Sequence, residues 1–276
     1  MVGGSAGPAR ALALSTMLVR RVSPARAIEA LAPLGLPLEL SFDNFIFNGA
    51  PETEAELLAE ALSTARELSA KVLVVHLPYD RLAPADAFSD LSSGRYDRWL
   101  AAATSLGAVY VVVHTLDVGD GDDRALSVNA RFLAELSKKS ADLGLRLAVE
   151  NRLERKLFGW RPEHLEDLLD AVPGLAACLD VGHANVNGVL REFLEGLGAR
   201  INVLHIHDNS GRFDEHRPPY TGTVDWELLE RWIAGRFVGV GVMEIACEDV
   251  PGKCVDVARA TASSRVASLL AGRYYY

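Results

Sequence analysis

The sequence predicts a single (β/α)₈ barrel, and three observations carry that expectation. Eight short apolar runs alternate with amphipathic segments along the 276 residues. The runs are almost continuously hydrophobic, as strands of a parallel sheet covered on both faces require. Their repeat, roughly 25 to 40 residues, is the scale of a βα unit. An α/β barrel of about 250 residues is commonly one domain, and no Pro- or Gly-rich linker divides this chain, so residues 1–276 are read as one unit.

The first run, LALST (12–16), leads to a helix start in which Ser23 caps and Pro24 opens the first turn. LPLELSF (36–42) is the second strand. ETEAELLAEALSTARELSA (52–70) follows, with apolar residues at three and four spacing, the mark of a helix with one buried face. KVLVVHL (71–77) and AVYVVVHT (108–115) are the third and fourth strands, and SVNARFLAELSKKSADLG (127–144) is a further amphipathic helix. LRLAVEN (145–151), LAACLDV (175–181) and INVLHIHD (201–208) come next. Asp225 caps the helix WELLERWIAGR, and VGVGVMEIA (238–246) closes the set. A doubly wound open sheet is disfavoured because no glycine-rich phosphate turn follows the first strand.

Composition narrows the function. With 49% apolar and 24% charged residues the chain can bury a large core. A net charge of −9 disfavours a protein that lives on phosphate backbones. The three cysteines, Cys178, Cys247 and Cys254, have no CxxC spacing and are expected as reduced thiols in a cytoplasmic protein. The stretch MVGGSAGPARALALSTMLVRR has its charges after a short apolar core, unlike a signal peptide, and no run is long enough to span a membrane.

The chemistry lies in position. Ionisable residues fall at the C-terminal end of strand after strand: His76, His114, Glu150, Asp180, His205 with His207, and Glu244. A barrel brings those ends to one face, where its active sites are built. Singly, each has a plain structural role to fill; a His can be a hydrogen-bonded core residue, and Asp180 can cap the next helix. Jointly, so many buried carboxylates and imidazoles would be costly unless a divalent cation offset their desolvation and repulsion. Mixed imidazole and carboxylate ligands suit Zn, Mn, Fe or Co, with Mg also possible. His205 and His207, two apart on a strand, face the same side. Asp180 with His183, and Asp214 with His216, have spacings that let each pair serve an ion. His164, in the helical PEHLEDLL, is expected to be solvated. Cys178 looks buried and inert, and neither a GxSxG elbow nor a GxxxxGK[ST] loop is present; VGDGDD (118–123) is too acidic to cradle phosphate.

Seven pieces, HLPY (76–79), VVHT (112–115), VEN (149–151), LDVGHAN (179–185), HIHDNSG (205–211), DEH followed by GTVDW (214–226), and MEI (243–245), together resemble the xylose isomerase-like TIM barrels. That superfamily holds sugar (phosphate) isomerases and epimerases and also endonuclease IV. The resemblance to the isomerases implies a metal held by Glu150, Asp180, His205 and Glu244, with Glu150 and Glu244 also moving a proton at a substrate carbon. It places His207 and Asp208 beside the substrate or behind the ligands, and Tyr79, present in both branches, at the substrate; Arg152, just past Glu150, is expected either to meet a phosphate or carboxylate of the substrate or to form a surface salt bridge. Endonuclease IV resembles the chain in a larger, three-metal set that adds His76, His114, His183, Asp214 and His216, with DNA as partner. NRLERKLFGW after Glu150, LDVGHAN around Asp180 and RPPYTGTVDW after His216 depart from the endonuclease pattern and favour the isomerase branch, although PPYTGTVDW matches that branch's glycine-rich PGxG only in part. A barrel that binds a sugar or polyol without turnover is a third expectation, and relatives of this kind often form homo-oligomers.

Overall fold

A computed structural model of the protein describes residues 10–47, 53–119 and 123–272. The first nine residues of the N-terminal stretch and the middle of the acidic 118–123 segment lie outside them. In chain order the described elements are β1 (Ala11–Ser15), α1 (Pro24–Leu31), β2 (Leu38–Leu40), α2 (Asp43–Ile46), α3 (Glu54–Glu67), β3 (Val72–His76), α4 (Pro84–Ser92), α5 (Arg95–Leu106), β4 (Tyr110–His114), α6 (Asp123–Asp142), β5 (Arg146–Glu150), α7 (Pro162–Ala171), β6 (Ala176–Asp180), α8 (Val181–Asn187), α9 (Leu190–Gly196), β7 (Ile201–Ile206), α10 (Trp226–Arg236), β8 (Val240–Met243), α11 (Pro251–Ala262) and α12 (Arg265–Leu270), with short 3₁₀ turns between some of them.

The eight strands pair parallel in chain order, and β8 returns to β1 to close the barrel. Each expected strand is present; the first keeps its length of five residues one position earlier, and the others are shorter than their apolar runs, the second spanning three residues where seven were expected. The apolar run overshoots because residues flanking a strand are also packed under helices. Ser23 and Asp225 cap their helices as their positions foretold, each accepting from a backbone N–H of the first turn.

Two apolar layers result from the two-residue period of the strands. Outward-facing residues such as Leu14, Val75, Val113 and Leu204 pack with Trp99, Phe132 and Phe193 from the helices. Inward-facing Ala13, Val74, Tyr110, Val112, Ala148, Cys178, Val203 and Val242 fill the barrel. They plug its lower part, so the same inward rows, followed toward their C-terminal ends, deliver polar side chains into a floored cup.

Two expectations are corrected. Cys247 and Cys254 form a disulfide, with Cα atoms 5.6 Å apart, rather than two free thiols; the segment after β8 turns back so that Cys254, in the first turn of α11, meets it. Cys178 is the free thiol, buried as expected. His164 is buried, not solvated: its ring stacks on Phe158 with centroids 4.2 Å apart, and its Nδ1 accepts from the Gly159 N–H.

A bridge closing so short a loop removes roughly 2.5 kcal/mol of unfolded-state entropy. Reduction with dithiothreitol is therefore expected to lower Tm by roughly 5 °C in a domain of this size. Calorimetry with and without reductant checks this, and a C247S/C254S double variant should reproduce the reduced value.

Candidate metal centre

The strand ends do converge. Glu150, Asp180, His205 and His207 are buried, and Asp180 stands in register with His205 while His114 stands in register with Glu150. A cavity of about 420 Å³ opens over them, lined among others by His76, Tyr79, His114, Glu150, Arg152, His183, Asp214, His216 and Glu244. The site residues singled out in the sequence thus all lie in or directly around this cup.

Glu150 is at its centre. Its Oε2 is 3.0 Å from His76 Nε2 and 3.8 Å from His114 Nε2, and its Oε1 is 3.4 Å from His205 Nδ1 and 3.7 Å from His183 Nδ1. Glu244 closes the opposite side, with Oε2 3.3 Å from the same His205 Nδ1. Asp180 plays two parts: as cap of α8, its Oδ1 accepts the His183 N–H at 2.6 Å, and both its oxygens lie 3.1 Å from His207 Nε2. The plain capping reading of Asp180 and the ligand reading are therefore both compatible with one carboxylate.

A third group stands toward the rim. Asp214 Oδ2 is 3.3 Å from His183 Nε2 and 2.9 Å from His216 Nε2, and the His216 ring stacks on His207 at 4.0 Å. His216 has φ +45°, a left-handed backbone that costs a non-glycine residue about 1 kcal/mol. Its contacts hold it there: Nδ1 lies 2.8 Å from the Glu244 carbonyl, and its own carbonyl accepts from the Ala246 N–H.

The donor set fits a divalent ion. Among the described residues, the buried His205 Nδ1, His207 Nδ1, His114 Nδ1 and Asp214 Oδ1 have no hydrogen-bond partner, although such atoms are normally paired. Five overlapping trios have ligand atoms within 4.8 Å of one another, among them His76–Glu150–His205, Glu150–Asp180–His183 and His207–Asp214–His216.

The electrostatics separate the carboxylates. Burial pushes every one of them up, but around Glu150 the rings of His114, His205 and His76 outweigh it and hold that carboxyl well below the usual range. His183 and His207 likewise bring Asp180 down to about 2 against its burial. For Glu244 burial prevails, helped by Glu39 and Glu150, and its carboxyl is pushed up to about 8. Burial lowers His216, but Asp214 and Glu244 raise it to about 9.

Two predicted substrate contacts have other engagements. Tyr79 donates from its hydroxyl to Asp43 Oδ2 at 2.7 Å. Arg152 is nearly buried and donates to the Thr115 carbonyl, to Asp117 and to Glu154, so its guanidinium is committed to the protein. Asp208 lies behind the ligands: it accepts from the N–H groups of Asn209, Gly222 and Val224 and from Trp226 Nε1, tying down the loop that carries Asp214 and His216. Sequence reading missed Glu39, a fully buried carboxylate 3.0 Å from His205 Nε2; its one signal was a charge in the middle of LPLELSF.

The chain matches the xylose isomerase-like TIM barrel family over residues 31–264, and it belongs to that family. It is 30% identical over 173 residues to the uncharacterised protein MJ1311 of Methanocaldococcus jannaschii, a match covering 58% of this chain and 59% of that protein. The chain thus spans about three fifths of that relative's length. Among solved structures it resembles a D-tagatose 3-epimerase-like protein (23% identity, 91% of this chain and 96% of the other, TM-score 0.71). It also resembles the IolI protein with a zinc atom bound (17% identity, 94% and 98%, TM-score 0.74). These two likenesses are of fold.

Two outcomes follow from the geometry. Glu244 and His216 both bind protons more readily in the fold than in the unfolded chain, whose values are 4.5 and 6.5. Their contribution to stability is lost as pH rises through about 8 and about 9, while that of Asp180 is lost only as pH falls toward about 2. Metal-free protein is expected to melt at progressively lower temperature from mildly acid pH to pH 9, and zinc to raise Tm most at the alkaline end, as scanning fluorimetry would read. Gly182→Ala places a methyl 1.8 Å from the His207 ring; overpacking of about 1–3 kcal/mol and weaker zinc binding are expected, measured by melting and by titration.

Proposed function

We propose that the protein is a divalent-metal-dependent isomerase or epimerase of a small sugar or sugar-like keto or hydroxy compound. The observation that carries this reading is the placement of Glu150 and Glu244 on either side of His205 Nδ1, 3.4 and 3.3 Å away, beneath one small cavity. Pairs of titratable groups driven apart by their surroundings mark acid and base roles, and in the metal-free chain these two glutamates are driven apart: the surrounding rings hold Glu150 well below the usual carboxylate range, and burial pushes Glu244 up to about 8.

Glu150, Asp180, His205 and Glu244 would hold the ion. When bound it would supply positive charge to the substrate's carbonyl and neighbouring hydroxyl oxygens, stabilising the negative charge that develops as carbon gives up a proton. Glu150 takes that proton, its other oxygen steadied by His76. Glu244 returns one to the opposite face, which inverts a centre, or to the neighbouring carbon, which isomerises the sugar. The apolar floor of the barrel shuts bulk water out from below. The cavity volume falls within the range of small-molecule sites, and the fold shared with a D-tagatose 3-epimerase-like protein supports the substrate class.

One observation favours a second reading. His183, Asp214 and His216 form a donor set of their own, and His76 and His114 crowd the far oxygen of Glu150, as a three-metal phosphodiesterase acting at abasic DNA would need. Against it, Asp43, Asp117 and Glu154 line the mouth and Arg152 is already paired, which is poor ground for a duplex.

Metal analysis of protein loaded with zinc or manganese, joined to a panel of ketoses in deuterated water, tests both. One tight ion per chain and deuterium at a sugar carbon are expected. Glu150→Gln and Glu244→Gln should each slow exchange by about 10²- to 10⁴-fold. Three tight ions with nicking of abasic DNA would transfer the conclusion to the phosphodiesterase. Sugar binding without exchange would leave a binding barrel.

A further inference from the structure

Glu39 is accounted for neither by the four proposed ligands nor by the cavity wall. It is fully buried on β2, in register with Ser15 of β1 and across the barrel from β7. Each of its oxygens has one partner: Ser15 Oγ donates to Oε1 at 2.9 Å, and Oε2 lies 3.0 Å from His205 Nε2. An apolar residue of similar size would avoid the desolvation penalty that a buried carboxylate brings.

The other end of the same ring supplies the reason. His205 Nδ1 has no hydrogen-bond partner and faces the gap between Glu150 Oε1 and Glu244 Oε2. A ring nitrogen that donates to a carboxylate fixes the proton on itself and leaves the opposite nitrogen with its lone pair free to ligate, while the carboxylate makes the ring a more basic ligand. We infer that Glu39 is a positioning residue of the metal centre: it keeps the proton of His205 on Nε2, so that Nδ1 is the ligating atom, and Ser15 holds Glu39 in that attitude. The chain of contacts runs from β1 through β2 to β7 and ends at the gap between the two glutamates. This rests on the reading of His205 as a metal ligand.

The test uses the full chain, stripped of metal and titrated with zinc against a chromophoric chelator, as wild type, E39Q and S15A. Glu39→Gln keeps the shape and removes the charge; circular dichroism reports whether it folds. E39Q is expected to bind zinc about 10- to 100-fold more weakly, and S15A to be weakened less. In zinc-loaded wild type labelled with ¹⁵N-histidine, identified by loss of one signal set in H205Q, the ring should show a protonated Nε2 and a metal-shifted Nδ1. A merely structural role for Glu39 would not set that pattern. Wild-type zinc affinity in folded E39Q, or a His205 ring bound through Nε2, overturns the inference and leaves the four-ligand reading standing. If E39Q does not fold, unchanged affinity in S15A overturns it instead. A wild-type chain that binds no zinc would bring down the ligand reading and this inference together.

Discussion

The constraint on which this structure depends is the burial of like charges. Five carboxylates, Glu39, Glu150, Asp180, Asp214 and Glu244, share one end of a barrel whose lower half is apolar. Each alone in such a place would be costly to ionise. The fold meets the cost by interleaving imidazoles, so that every carboxylate has a ring nitrogen within 4 Å: His205 for Glu39, Glu150 and Glu244, His207 for Asp180, and His183 and His216 for Asp214. Rings suit this better than lysines because they are short and flat, and because they can surrender the proton and keep the position when a cation arrives. The same arrangement that makes the cluster tolerable without metal makes it a set of candidate ligands.

That arrangement holds only while the loops stand still, and the loop after β7 shows how they are held. Asp208 accepts four hydrogen bonds with its side chain, and its backbone pairs with Arg217 in both directions, closing the base of the loop. Gly222 passes so close that an added Cβ would lie 2.1 Å from the Asn209 carbonyl, so only glycine lets the chain make this crossing. Farther on, Tyr220 donates to Glu230 and accepts from the Val266 N–H, fastening the loop to α10 and α12. Two non-glycine residues of this otherwise over-determined loop, His216 and Tyr220, have left-handed backbone, and the first of them is a candidate ligand, as strained residues at functional sites commonly are.

How much of this was legible in the sequence depends on the reach of each feature. The eight strands were legible because parallel strands buried on both faces write themselves as apolar runs. The cup was legible because an ionisable residue closing one apolar run after another makes little physical sense unless those strand ends meet at a shared site. What remained hidden was pairing across the barrel. Glu39 reads as one odd charge in LPLELSF until closure sets β2 opposite β7. Asp208 was expected beside the substrate or behind the ligands, but its partners stay hidden until residues 222 to 226 fold back onto it. His164, in a stretch with Glu163, Glu166 and Asp167, has the pattern of an exposed position, and only the return of Phe158 and Gly159 gives it a ring to stack on and an N–H to accept from. The Cys247–Cys254 bridge was missed because a spacing of seven matches no framework; the turn between β8 and α11 decides it.

The mouth of the cup bears on substrate more than its floor does. Arg152, the cation nearest Glu150 in sequence, has its guanidinium taken by the Thr115 carbonyl, Asp117 and Glu154, and Arg20 at the far wall is paired with Glu248. A phosphate entering here would have to displace carboxylates already in contact with these cations and then lie near Asp43 and Asp214. A neutral hydroxylated molecule would meet no such competition, because hydroxyls can donate to those same carboxylates and accept from the rings. With a cation bound, the attraction for electron-rich oxygens is concentrated at the floor, between Glu150 and Glu244, while the walls remain acidic. Under the proposed function the mouth would sort entrants by charge and the floor would orient them by their oxygens. Of the two chemistries proposed for these candidate ligands, proton transfer on a small neutral carbohydrate is the one that both parts support.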